Sequence, residues 1–297
     1  MVVAAGTIRL AALDAASGQV KWDVKTGLGQ VNSTGLLATD DTVFVGWDRG
    51  LSAHDLETGK ECWRLPVPNP TTAHIRRGRL VVGFDEGDTG WMAGIDASGG
   101  RIIWRYDTRQ KVAANWQNPS EAALDSNRVV FGDGGDLISL NPRNGRIHWR
   151  TELEQNVPTG PVIFDDFTYM PTRNGGLLAL QLSDGLVAWA WQPGKRSSPG
   201  QPTVSDDAVF FTEGDQLISV GRATGKTLWS AEVADKGQLG QPVFTEDGLY
   251  LLAGNRHLMK FDPESGDEKA QFDLGEIRGS GEAHLVFADE KLYLVLP

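Results

Sequence analysis

The stretch that decides the fold is "DAASGQVKW", Asp14 to Trp22. It returns as "DLETGKECW" from Asp55, "DASGGRIIW" from Asp96, "NPRNGRIHW" from Asn141, "QLSDGLVAW" from Gln181 and "GRATGKTLW" from Gly221. A seventh copy, "DPESGDEKA" from Asp262, keeps the glycine and ends on Ala270. The glycines of these copies, Gly18, Gly59, Gly100, Gly145, Gly185, Gly225 and Gly266, are spaced 41, 41, 45, 40, 40 and 41 residues apart. A repeat of that length that reads as strand and turn points to stacked units of four short strands.

One period shows the unit. In Pro202 to Val233, "PTVS" leads to the turn at Asp206-Asp207, "AVFF" to Glu213-Gly214-Asp215, "QLISV" to Ala223-Thr224-Gly225, and "KTLWSAEV" closes the repeat. Short runs of β-branched, aromatic and leucine residues between Gly, Asp and Asn clusters are strand signals. No segment sustains a 3.6-residue apolar period, so the chain reads as all-β. The nonapeptide then spans the hairpin between third and fourth strands. Its Asp or Asn bonds the backbone two residues on, and its Gly supplies the positive φ of a turn with a bulge. Four residues later comes Trp22, Trp63, Trp104, Trp149, Trp189 or Trp229. A buried tryptophan removes about 150–250 Å² from water, roughly 4–6 kcal/mol of transfer energy, which suits it to docking one unit on the next.

The pattern D-x-x-[ST]-G-x-x-x-W at this period resembles the PQQ-like, quinoprotein-type β-propeller repeat over essentially the whole chain. Departures are Gly99 at the Ser/Thr position, Asn141, Gln181 and Gly221 at the Asp position, and Ala270 for Trp. The resemblance implies a propeller of four-stranded antiparallel blades, with residues 1–297 forming a single domain. "TIRLAALDAASGQVKWDV" at the start supplies a third and a fourth strand, and "EAHLVFADEKLYLVLP" at the end a first and a second. The two ends then share one blade, giving seven blades. Eight result if the C-terminal hairpin forms its own partial blade.

Composition narrows the function. The 297 residues carry 28 basic against 39 acidic side chains, a formal net charge of -11. Nucleic-acid binding and anionic membrane surfaces need the opposite balance, so neither is expected. No apolar run approaches the ~18 residues that span a bilayer, and "MVVAAG" is no signal peptide. It fits a natural start or an initiator Met on an excised domain. The single cysteine, Cys62, excludes an internal disulfide and is expected to be a buried, inert thiol.

Chemistry-bearing motifs are sparse. His54, His74, His148, His257 and His284 show no metal-ligating spacing, and His148, just before a docking Trp, reads as packing. "DEGDTG", Asp85 to Gly90, lacks the spacing of a calcium loop, and "GDGGD", Gly132 to Asp136, reads as a plain turn. The quinoprotein dehydrogenases of the resembled family hold PQQ and calcium beside a vicinal disulfide, which one cysteine cannot form. No catalytic residue, cofactor or metal is therefore expected.

What does not repeat is the candidate site. "DTRQKVAANWQNPSE", Asp107 to Glu121, accounts for the 45-residue spacing and offers Arg109, Lys111, Asn115, Trp116, Gln117 and Asn118. Trp91 and Trp47 also stand outside the motif near the same face, and aromatics with arginine favour interfaces. Gln30, Gln117, Gln155, Gln201 and Gln241 each precede an inner strand and could ring a channel mouth. "GKRSS", Gly194 to Ser198, adds a basic cluster. The expectation is a monomeric protein- or peptide-binding scaffold, contacting its partner through Arg109, Trp116, Gln117, Asn118, Trp91, Gln201 and Gln241 or through an exposed strand edge. The other reading is a small-ligand-sensing propeller of a larger protein. By resemblance alone the compartment is the bacterial envelope, with the cytoplasm the alternative. The lipid-anchoring cysteine of an assembly-factor lipoprotein has no counterpart.

Overall fold

The computed structural model describes residues 2–5, 9–14, 17–27, 29, 31–68, 70, 74–108, 122–153, 160–172, 176–192, 200–233, 237–254, 256–275, 284–288 and 291–295. All regular structure among them is β, and no helix there is long and apolar enough to cross a membrane. Chain contacts divide the protein into two compact units, Met1–Glu154 and Gln155–Pro297.

The first unit opens with β1 (Val2–Ala5), β2 (Arg9–Leu13) and β3 (Val20–Lys25), a three-stranded sheet. β4 (Val31–Ala38), β5 (Thr42–Trp47), β6 (Gly50–Asp55) and β7 (Glu61–Leu65) form a four-stranded one. Two more follow: β8 (His74–Arg76), β9 (Arg79–Glu86), β10 (Thr89–Asp96) and β11 (Arg101–Thr108), then β12 (Ala123–Leu124), β13 (Val129–Asp133), β14 (Asp136–Leu140) and β15 (Ile147–Glu152).

The second unit holds β16 (Val162–Phe164), β17 (Phe167–Pro171), β18 (Leu177–Gln181) and β19 (Val187–Trp191). Next come β20 (Thr203–Val204), β21 (Ala208–Glu213), β22 (Gln216–Gly221) and β23 (Thr227–Glu232). β24 (Val243–Thr245), β25 (Gly248–Ala253), β26 (His257–Phe261) and β27 (Glu268–Asp273) complete the last full sheet, and β28 (His284–Ala288) pairs with β29 (Lys291–Val295).

Every pairing is between sequence neighbours and antiparallel, the meander of a propeller blade. Each of the seven repeats owns one sheet, which gives the seven-bladed class read from the sequence. The N-terminal sheet holds one strand more than the two expected, because Val2–Ala5 pairs with Arg9–Leu13.

The core lies between the sheets. Second and third strands are buried on both faces, as in β5 and β6, whereas fourth strands such as β15 alternate. Phe44, Leu51 and Ala53 of one sheet pack with Leu80, Phe84 and Ile95 of the next. Phe210 and Leu217 likewise pack with Leu251 and Phe261.

Cys62 departs from expectation: it is exposed. It precedes Trp63 on β7, and successive strand residues face opposite sides. With Trp63 turned to the next blade, Cys62 must turn outward.

Candidate functional site

The repeat builds a turn and a pin. In the turn, the Gly18 and Gly59 amides donate to the Asp14 and Asp55 carbonyls at 2.9 Å, and the motif aspartate caps the bend from its side chain. Asp55 Oδ1 accepts from the Thr58 amide at 2.8 Å and its hydroxyl at 2.5 Å; Asp14 holds Ser17 in the same way. These bonds, the Thr58 hydroxyl first, hold the Asp55 carboxyl below its ordinary range. At Gly221, which has no side chain to offer, the 2.8 Å bond from the Gly225 amide to its carbonyl remains. The backbone makes the bend and the aspartate reinforces it.

In the pin, five of the six motif tryptophans reach the turn of the following repeat. Trp22, Trp63, Trp104, Trp189 and Trp229 donate from Nε1 to the carbonyls of Leu56, Ala97, Pro142, Arg222 and Pro263, at 2.7–3.0 Å. Each acceptor lies three residues before the next turn glycine. The ring covers that glycine: a Cβ at Gly59, Gly100, Gly145, Gly225 or Gly266 would lie 2.5–2.9 Å from ring atoms. These glycines also have φ of +66° to +77°, so two constraints exclude a side chain. Trp149 is buried at 7% exposure.

Sequence reading missed a third partner. Across the third and fourth strands, the six tryptophans stand opposite Ala12, Ala53, Gly94, Ser139, Ala179 and Ser219. A Cβ at Gly94 would fall 2.1 Å from Trp104 Nε1. The copy that ends on Ala270 instead faces Lys260, whose ammonium pairs with Asp247 at 2.7 Å and lies 5.5 Å from the Tyr250 ring centre. Where the ring is absent, the small cross-strand residue is also replaced, by a lysine held within its own sheet.

The non-repeating residues concentrate at one end of the third and fourth blades. Strands β9 to β11 run eight residues each, extending that blade. The β9–β10 turn lies within "DEGDTG", so that segment is part of a hairpin. Trp91 is half-buried and packs on the core, with the Arg105 guanidinium 5.5 Å from its ring centre and 5.2 Å from that of Phe84. Glu86 fixes Arg105 at 2.8 Å. Trp47 is 0% exposed and donates to Ser52 Oγ at 2.8 Å, so it is a packing residue and no part of a loop surface.

Beside this lies a polar cluster that the sequence reading passed over as a turn. Asp133 and Asp136 flank Gly134-Gly135 at the β13–β14 hairpin, only 2% and 3% exposed. Arg150 donates from Nε to Asp136 at 2.6 Å, and the Tyr106 hydroxyl approaches Asp133 at 3.3 Å. Buried carboxylates require such partners. Thr108 and Ala122, which bracket the segment carrying the 45-residue spacing, are themselves buried. Arg109, Lys111, Asn115, Trp116, Gln117 and Asn118 lie outside the described residues, as do Gln30, Gln155 and Gly194 to Ser198. In the second unit, Gln201 is half-buried and Gln241 exposed, just before β20 and β24. In the first unit the structure thus brings Trp91 to Arg105 and, separately, Asp136 to Arg150 and Asp133 to Tyr106; it places Gln201 and Gln241 in the second unit.

Residues 4–196 and 173–295 match the family model described as outer membrane protein assembly factor BamB. The chain belongs to this family. A BamB of Shewanella oneidensis is 30% identical over 155 residues, 47% of this chain and 38% of that protein. The lanthanide-dependent methanol dehydrogenase of Methylorubrum extorquens is 40% identical over 191 residues, 54% of this chain but 30% of the enzyme. These alignments cover well under half of either relative's length. The crystal structure of BamB from Moraxella catarrhalis aligns over 98% of this chain and 89% of its own, with a TM-score of 0.78 at 18% identity, which establishes a shared fold. A lanthanide or calcium site needs several oxygen ligands converging. Among the described residues no group of three His, Cys, Asp or Glu could hold an ion.

Proposed function

We propose that this chain is a non-catalytic scaffold of the bacterial cell envelope that binds a protein or peptide segment. The observation that carries this reading is the family match, which extends across nearly the whole chain to a family described as an outer membrane assembly factor. In this reading residues 1–297 act as one propeller domain.

In the first unit we assign the contact to the segment that follows Thr108, through Arg109, Trp116, Gln117 and Asn118, together with Trp91. In the second unit we assign hydrogen-bonding contacts to Gln201 and Gln241. Loops carried on rigid strands are where binding residues tend to reside. The test is capture of an envelope protein by the intact chain and by the Trp116→Ala, Arg109→Ala double variant. Capture should fall severalfold in the variant while its melting temperature holds. Undiminished capture would remove this segment from consideration.

A further inference from the structure

In the second unit, at the end of its blades where the 1–2 and 3–4 turns lie, a groove of about 700 Å³ opens. Its floor is aromatic. Phe164 lies at one side, and Phe210 and Phe244 stack with ring centres 5.6 Å apart and planes 18° from parallel. Leu228, on β23, adds an aliphatic side chain that is 58% exposed. Three carboxylates form the rim: Asp206 and Asp207 at the β20–β21 turn, and Glu264 in the turn of the last repeat.

The charge of the groove is predominantly negative. Among the described residues Asp206, Asp207 and Glu264 make no ion pair within 4 Å, and the nearby cation, Arg222, acts on Asp206 only at longer range. Arg222 pairs with Asp165 at 2.7 Å and lies 5.0 Å from the Phe164 ring centre.

The first unit offers a comparison. A smaller groove of about 340 Å³ is lined there by Asp40 and Asp41 of a 1–2 turn, by Asp55, Leu56 and Glu57 of a motif turn, and by Lys21. Lys21 precedes Trp22 as Leu228 precedes Trp229, so the two occupy the same repeat position. One groove is lined by a lysine, which also pairs with Asp14 at 3.8 Å, and by no aromatic side chain. The other presents leucine and phenylalanines beneath carboxylates that make no ion pair within 4 Å among the described residues.

From this we infer that the groove of the second unit is a docking site for an extended cationic segment of a partner, alternating lysine or arginine with apolar side chains. The apolar residues rest on Phe164, Phe244 and Leu228, and the cations meet Asp206, Asp207 and Glu264. The site is separate from the loop end and adds a second contact of opposite chemistry.

The test is calorimetric titration of the intact chain with a blocked hexapeptide alternating leucine and lysine, and with its leucine–glutamate counterpart. The lysine peptide should bind saturably, and the glutamate peptide should not bind. Leu228→Lys, which installs the residue of the first groove, should weaken binding about tenfold or more, as should Asp206→Asn with Asp207→Asn and Glu264→Gln. All four positions lie at the surface, so both variants should keep the wild-type melting temperature. Trp116→Ala should leave the peptide affinity unchanged, which separates this site from the loop contact. Equal binding to wild type and both variants, or equal binding of both peptides, would overturn the proposal. So would concentration-dependent self-association abolished by Leu228→Lys, which would assign the groove to a second copy.

Discussion

The turns at Gly18 and Gly145 bend alike and are used differently. Their φ angles are +70° and +69°, and both amides bond back to the residue four before them. Yet a Cβ at Gly145 would lie 2.9 Å from three Trp104 ring atoms, while at Gly18 no described atom lies within 4 Å. One glycine serves the backbone alone. The other also serves as the seat for a neighbour's ring, and that second duty couples one repeat to the next.

The largest effect should come from removing the pin. Trp104 is 7% exposed, packed among Val81, Met92, Phe131 and Leu140, and bonded to Pro142 O at 2.8 Å. Trp104→Ala should cost about 3–5 kcal/mol in urea unfolding, and it should erase the difference between the two glycines. An unchanged midpoint would mean that the ring docks nothing.

A smaller effect follows from the turn at Gly59, where a buried hydrogen-bonded chain stands at a position that is apolar in the other six repeats. His54 Nδ1 sits 3.1 Å from the Gly59 carbonyl, and its Nε2 lies 2.9 Å from Ser52 Oγ, which accepts from Trp47. In the neutral ring with Nδ1–H donating to the carbonyl, Nε2 accepts from the serine hydroxyl, and both ring nitrogens of His54 are satisfied without a charge. Burial lowers its pKa from the usual 6.5, and burial alone does the same at His74. Since the unfolded chain takes up protons first, stability should be full above about pH 6.5 and decline as pH falls through the depressed folded values. His54→Gln should flatten that decline; a slope identical to wild type would assign it elsewhere.

How much was legible depends on whether a residue's role is local. The bend is local: Asp, Gly and positive φ belong to one hairpin, so "DAASGQVKW" announces it. The period announces the blades. The seat of the tryptophan is a relation between residues some forty positions apart, and the nonapeptide alone hides it. Part of it was nonetheless written in the chain. Two residues before each motif start stands Ala12, Ala53, Gly94, Ser139, Ala179 or Ser219, and Lys260 replaces them where Trp gives way to Ala270. The exposure of Cys62 was also readable, from strand alternation. The Asp133–Asp136 cluster was not, because only the fold brings Tyr106 and Arg150 to a Gly-rich turn.

The measurement that bears most directly on this account is the unfolding free energy of Gly18→Ala beside Gly145→Ala. Forcing alanine into the left-handed region should cost about 1–2 kcal/mol at either site. At Gly145 the methyl must also displace the Trp104 ring, adding about 1–3 kcal/mol of overpacking. A clearly greater loss at Gly145, vanishing in the Trp104→Ala background, is the predicted result. Equal losses at the two glycines would contradict it, and the repeat would then be only a bend.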